Sequence, residues 1–241
     1  NIRNFFKWVD DFILGGTIGA LSDGTVWAIT DTSSAGAPTY AVVSPATAAG
    51  EFKITLAADA EVENVCLNFG DVLAFDIDKI RNVKFRVKLG AATMPTASMV
   101  AFGLQGARND AIDSIAQHVS FRVIGADSTT LCVVESDDGT TDNDDVATGQ
   151  TLINAYKDFE IDFSQGTADV RLFIDGQPVA TGTTFNMSAY TGGLQPYVQL
   201  QKTSSSNAPS VTIDYVEITG VQLTIGDYAI KHGLTMPRSE E

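Results

Sequence analysis

The amino-acid sequence predicts an all-β fold: two antiparallel sheets packed face to face as a sandwich, with extended terminal arms. Three observations carry that expectation. Apolar and polar residues alternate with a period of two in five separate runs. Asp-Gly pairs of the kind used by tight hairpins punctuate those runs. Helical signals are confined to two short turns. Each alternating run has one apolar and one polar face. Two sheets are therefore needed, because a single sheet would leave its apolar face in water.

The runs follow in order. Phe52, Ile54 and Leu56 alternate with Glu51, Lys53 and Thr55. Val83, Phe85, Val87 and Leu89 alternate with Asn82, Lys84, Arg86 and Lys88. Val119, Phe121 and Val123 alternate with His118, Ser120 and Arg122. Phe159, Ile161 and Phe163 alternate with Asp158, Glu160, Asp162 and Ser164, and Val211, Ile213 and Tyr215 with Thr212 and Asp214. Turns are expected at Asp23-Gly24, Asp138-Gly139 and Asp175-Gly176, the last inside a compact strand-turn-strand span from Val170 to Ala180. Gly192-Gly193 and Thr203 to Asn207 read as loops. A helical turn is expected between Ala107 and Ala116, with Asp110 as its cap and Ile112 and Ile115 on one face; another spans Asp76 to Ile80. Residues 1–7 read as an N-terminal arm, 8–225 as the sandwich and 226–241 as a C-terminal arm.

Composition narrows the function. Hydrophobic residues make up 44% of the 241 and charged residues 19%, a balance that supports a packed core. The formal net charge of −15 repels phosphate backbones and anionic lipid, so neither nucleic acid nor membrane is expected as a partner. No run approaches the length of a membrane-spanning helix, and the first residues lack a signal peptide's apolar core. Cys66 and Cys132 sit in apolar, strand-like runs and read as buried thiols.

The order of features resembles a known superfamily. Trp8-Val9-Asp10-Asp11-Phe12 is followed by Trp27, the strand Phe52 to Leu56, Phe102-Gly103-Leu104-Gln105, and His118 to Val123. Phe159 to Ser164, Phe173-Ile174-Asp175-Gly176, Leu194-Gln195-Pro196-Tyr197-Val198 and Ile213-Asp214-Tyr215-Val216 complete the set. Over residues 8–220 this arrangement is similar to the concanavalin A-like lectin/glucanase, or laminin-G-like, jelly rolls. Within them it most resembles virion proteins of tailed bacteriophages, through the Phe173 to Gly176 hairpin, Thr183-Thr184-Phe185-Asn186-Met187-Ser188, Leu194 to Pro196 and Ile213 to Val216. That resemblance implies a non-enzymatic capsid decoration protein on the virion surface, a homo-oligomer whose partners are a major capsid protein and its own copies. The alternative is a lectin-like carbohydrate-binding module gripping a host-surface glycan. A glycoside hydrolase relic ranks third.

Candidate chemistry stands beside plainer readings. Retaining glucanases of this superfamily carry Glu, Asp and Glu at alternate positions of one strand, which places nucleophile and acid/base on one face. Here Glu160 and Asp162 are followed by Ser164, so the second glutamate is missing and no catalytic residue is assigned. The acidic run from Ser136 to Asp145 offers Asp137, Asp138, Asp142, Asp144 and Asp145 as oxygen ligands for calcium, or as a solvated hairpin tip. His118 lies on the polar phase of its strand and reads as a surface histidine; His232 stands alone. A glycan face is expected from His118, Arg122, Glu160 and Asp162, with Trp8, Trp27, Tyr40, Tyr190 and Tyr197 available either to stack on sugars or to pack the core.

Overall fold

The computed structural model describes residues 5–12, 27–43 and 50–221. The C-terminal arm (226–241), His232 and the Asp23-Gly24 turn lie outside the described residues. The chain enters through β1 (Phe5–Asp10), β2 (Ala28–Asp31), β3 (Thr39–Val43) and β4 (Glu51–Thr55). It continues through β5 (Glu63–Asn68), β6 (Phe75–Asp76), β7 (Ile80–Leu89) and β8 (Ser98–Gln105). Next come β9 (His118–Ile124), β10 (Leu131–Asp137), β11 (Asp142–Thr151) and β12 (Lys157–Asp162). The last are β13 (Arg171–Ile174), β14 (Gln177–Val179), β15 (Gly193–Lys202) and β16 (Ser210–Val221).

Two sheets of eight strands result, each with entirely antiparallel pairing. The first runs β14-β13-β12-β7-β16-β4-β3, with β1 also on β16. The second runs β11-β10-β9-β8-β15-β5-β2, with β6 also on β15. Their inner faces close one continuous core in which Phe85, Phe102, Phe121 and Phe159 meet. At one end Trp8, Trp27, Phe69 and Phe75 form an edge-to-face cluster. The Trp27 Nε1 proton is donated to Asp10 Oδ2 at 2.8 Å, so the buried indole keeps its polar atom satisfied. All five alternating runs form strands, and their apolar residues face this core except Tyr215: a register shift between Ile213 and Tyr215 breaks the alternation and turns Val216 inward instead.

Some boundaries differ from expectation. Phe5, Phe6 and Lys7, assigned to the N-terminal arm, belong to β1 and pair with Val221, Gly220 and Thr219. The run is short and half-apolar, so its pairing depends on the far end of the chain, which local alternation does not register. The Ala107 to Ala116 turn is a single 3-10 turn over Ile112–Ser114. Asp110 does not cap it: the preceding residue is Ala111, and no side chain supplies a cap bond. Ile112 and Ile115 do share a buried face. The Asp175-Gly176 hairpin has φ of 51° and 73° at its central residues, the left-handed pair that a two-residue turn between twisted strands requires.

Candidate functional site

The expected glycan face divides between the two sheets. Glu160 and Asp162 lie on β12 of the first sheet; His118 and Arg122 lie on β9 of the second. Both pairs point away from the shared core, which puts them on opposite outer surfaces. The expectation that all four line one face is thereby corrected. Period-two alternation says which face of a strand is apolar, but not which sheet the strand joins.

On the first sheet the outer surface is a checkerboard of charge. Glu160 is directly opposite Lys84, whose ammonium lies 3.7 Å away, and it accepts a short hydrogen bond from Asn82 Nδ2. Arg86 sits between Asp158 at 3.9 Å and Asp214 at 3.4 Å, and Lys88 is 3.5 Å from Glu51. Asp162 accepts both the backbone N–H and the hydroxyl of Ser164, at 2.7 and 2.9 Å. Glu160 thus has a cation and an amide as partners, and Asp162 folds back on its own loop.

The second sheet holds the unexpected feature. His118, Ser120 and Arg122 occupy the polar phase of β9, yet all three are buried. His118 is therefore no surface histidine. What covers it is the chain itself: residues 106–117 cross the outer face as a strap, clipped at its base where Gly106 N–H is donated to Gln117 O at 2.7 Å. Ile112 and Ile115 press down on Cys66, Ala101 and Tyr197 in a second, smaller apolar cluster. Around that plug the sheet's polar side chains reach up to the strap's backbone carbonyls. Gln195 Nε2 is donated to Gly106 O at 2.9 Å, and Gln199 Nε2 to Asn109 O and Asp110 O at 3.1 Å each. Asn64 Nδ2 reaches Asp110 O at 3.0 Å. Arg122 Nη2 is donated to Ile112 O at 3.2 Å, and His118 Nδ1 lies 2.7 Å from Ile115 O.

A carbonyl accepts only, so the His118 proton is on Nδ1, and Nε2 offers its lone pair to Arg122 Nη2 at 3.3 Å. Burial, reinforced by the neighbouring guanidinium, pushes the His118 pKa down to about 4. Arg122 also binds Asp113 on the strap at 2.7 Å and makes a short ion pair with buried Glu135. While the strap is in place His118 Nδ1 and both terminal nitrogens of Arg122 are engaged, and Arg122 Nε, which has no hydrogen-bond partner, is itself buried. The signal for this face was in the sequence: Asn64, Gln105, Gln195 and Gln199 recur on strands that also carry core residues, a surplus of amides that backbone carbonyls can absorb.

The acidic loop is dispersed in the same way. Asp138 is buried; its Oδ1 accepts the backbone N–H groups of Thr140 and Thr141, and its Oδ2 that of Ala189. Burial works to raise this carboxyl, but the backbone donors outweigh it and hold it below the usual carboxylate range. Asp137 caps Gly139 N–H at 2.7 Å. Asp142 and Asp144 bring carboxylate oxygens within 4.8 Å of one another and of Glu135, a residue absent from the expected calcium set. Burial and the facing Asp144 and Asp137 raise Asp142. Glu135 is already paired with Arg122, so a hard cation arriving here competes with a guanidinium in place. The aromatics divide toward the packing reading: Trp27 and Tyr197 are fully buried, while Trp8, Tyr40 and Tyr190 pack partly buried on the core. Cys66 and Cys132 are free buried thiols, one under the strap and one in the main core.

No protein-family model and no curated protein matches the chain. Solved structures do. A protein of unknown function from Shewanella oneidensis MR-1 superposes with a TM-score of 0.57 at 12% identity, over 92% of this chain and 90% of that one. The Emp47p carbohydrate recognition domain gives 0.56 at 11% identity, over 88% and 94%. A Bacteroides ovatus mixed linkage glucan GH16, in complex with a G4G4G3G product, gives 0.58 at 12% identity, over 88% and 99%. At these identities the likeness is one of fold, and the fold is a two-sheet antiparallel sandwich of jelly-roll type.

Proposed function

We propose that this protein is a non-catalytic, lectin-like carbohydrate-binding module. The observation that carries the reading is likeness along nearly the whole chain to a carbohydrate recognition domain and a glucan-bound GH16, taken with the state of Glu160. A retaining mechanism needs a second carboxyl about 5 Å from the nucleophile. Glu160 instead faces Lys84 and Asn82, and Ser164 stands where the second glutamate would be. These features support recognition without bond breaking. A glycan array followed by calorimetry, with and without calcium, tests the proposal. The expected result is saturable binding of at least one glycan and no release of reducing sugar from β-glucan. Binding to no glycan overturns the recognition half. Sugar release that disappears in Glu160→Gln overturns the non-catalytic half.

A second reading, assembly on a virion surface with a major capsid protein and further copies of the chain, is favoured by one specific feature. Phe5 and Val9 are 74% and 45% exposed on the same face of β1, either side of the Lys7–Glu217 ion pair, and exposed apolar side chains around a charged pair suit a protein partner. Sedimentation of the protein and of Phe5→Ser tests it. Self-association lost in the variant supports assembly, and a monomer at all concentrations that also ignores stripped capsids removes it.

A further inference from the structure

With the second sheet's outer face occupied by the strap, a glycan needs another seat. We infer that it is the groove of about 450 Å³ at the edge of the first sheet, between β13, β14 and the loop of residues 180–184, and that it takes a short neutral glycan. This rests on the carbohydrate-binding reading above and gives it a location.

The groove is built by a local accident of the chain. β13 and β14 form the tight hairpin at Asp175-Gly176, but β14 ends after three residues. Pro178 at its centre has no N–H to donate, so no further strand can pair there. Ala180 then adopts φ of 53°, a conformation that alanine rarely takes, and throws the chain outward. Thr183 N–H closes that turn on Ala180 O at 3.1 Å, and the chain returns through Phe185, which pairs with Val170. The excursion opens a trough where a sheet edge would otherwise be flat. Strained non-glycine backbone of this kind is held only where its surroundings fix it, and such positions concentrate at binding sites.

Its lining suits a sugar. Half-buried Phe173 and exposed Pro178 are direct cross-strand partners and present a continuous apolar surface, the platform that the C–H face of a pyranose requires. Thr181, Thr183 and Thr184 complete the lining and bring hydroxyl-bearing side chains to it. Arg171 and Asp169 pair at 2.9 Å while both stay about half exposed, leaving further donors and acceptors free at the rim. The pair carries no net charge, and the chain's overall −15 repels anions, so a neutral ligand is favoured over an acidic one. The volume falls in the range of small-ligand sites.

The test is a titration of the ¹⁵N-labelled full chain with a panel of neutral oligosaccharides (maltotriose, cellotetraose, laminaritetraose, and the best neutral binder from the array), with 3′-sialyllactose as the acidic control. Amide shifts confined to residues 171–174 and 179–185, with the strap residues 106–117 unmoved, are expected for a neutral sugar. Phe173→Ala and, independently, Arg171→Gln should each weaken that binding at least tenfold without changing the unfolding temperature by more than a few degrees. Shifts centred on the strap or on β9 would overturn the location while leaving carbohydrate binding intact. Preference for the sialylated control would overturn the neutral class. Failure of every glycan, on the array and in the titration, would end both this inference and the reading it rests on.

Discussion

Replacing Arg122 with methionine removes the cation that organises the strap, and its cost can be worked from the contacts. Arg122 is fully buried and serves four partners: Glu135, Asp113, Ile112 O and His118. Asp113 is 69% exposed, so solvent takes over its half of that pair and little is lost there. Glu135 is different. Its carboxylate is almost wholly buried, and without Arg122 it is left beside a neutral histidine and the carboxylates of Asp142 and Asp144. Leaving one member of a buried pair uncompensated costs about 3–5 kcal/mol. In a chain of this size that corresponds to a fall of roughly 6–20 °C in the midpoint of thermal unfolding. Calorimetry reads the fall, and hydrogen exchange locates it: amides of residues 106–117 should lose protection before those of the core strands. The double variant Arg122→Met, Glu135→Leu carries the argument. With both charges gone the desolvation penalty goes too, so the double variant should recover most of the lost stability. A single variant costing less than about 1 kcal/mol, or a double variant at least as unstable as the single, would refute the assignment of Arg122 and Glu135 as a buried, mutually dependent pair.

Three further outcomes follow from the same geometry. His118 has its folded pKa depressed to about 4 against an ordinary 6.5, so between those values the unfolded chain binds a proton that the folded one refuses; stability should fall as pH drops from about 6.5 to 4 and level off below. Arg122, Glu135, Asp137 and Asp142 all face that ring, and His118→Gln should flatten this part of the stability–pH curve measured by urea unfolding. Asp138→Ala leaves the N–H groups of Thr140, Thr141 and Ala189 without their acceptor and should cost about 1–3 kcal/mol by chemical denaturation, with Asp138→Asn cheaper because it keeps one acceptor oxygen. Burial pushes the thiols of Cys66 and Cys132 up to about 12, so a thiol reagent at pH 8 should label neither in the native protein and both in urea; native labelling of Cys66 would mean that the strap lifts readily.

The legible part of this structure is its core. Phe52, Val83, Phe85, Val119, Phe121, Phe159 and Ile161 are assigned to an inner face by alternation alone, and all are buried there. The Asp-Gly hairpin at 175–176 is equally readable, because its two left-handed residues constrain which side chains can stand there. Strands without alternation were illegible. In β5 all six residues are buried, and β11, with Asp142, Asn143, Asp144 and Asp145, looks like a loop until β10 pairs with it. The motif set that resembles phage virion proteins is also mostly core: Phe185, Met187, Leu194, Ile213 and Val216 are buried, and Gln195 holds the strap. Those residues specify how the sandwich folds, which is why they indicate fold more firmly than partner. The outer face of the second sheet is illegible for a related reason. Polar residues in an alternating run announce only that something hydrophilic lies above them, and here it is the backbone of residues 106–117 in place of water or sugar.

That substitution bears on where any ligand goes. The donors on the second sheet (Asn64, His118, Arg122, Gln195 and Gln199) are the groups that would otherwise grip sugar hydroxyls, and each is engaged by a strap carbonyl. A glycan entering there competes with a ligand that is covalently attached and therefore present at high effective concentration. Lifting the strap also returns Ile112 and Ile115 to water, at about 1.5–3 kcal/mol for each side chain. Together that is on the order of the ~4 kcal/mol available from a complex of millimolar affinity. Weak sugar binding is thus excluded from the second sheet unless something first weakens the strap, and the Arg122→Met variant is such a perturbation. If the groove beside β13 and β14 is the seat, a glycan should bind Arg122→Met and the parent chain equally well below the variant's unfolding midpoint. If the second sheet is the seat, the variant should bind more tightly as its strap opens, and the two sites separate in one experiment.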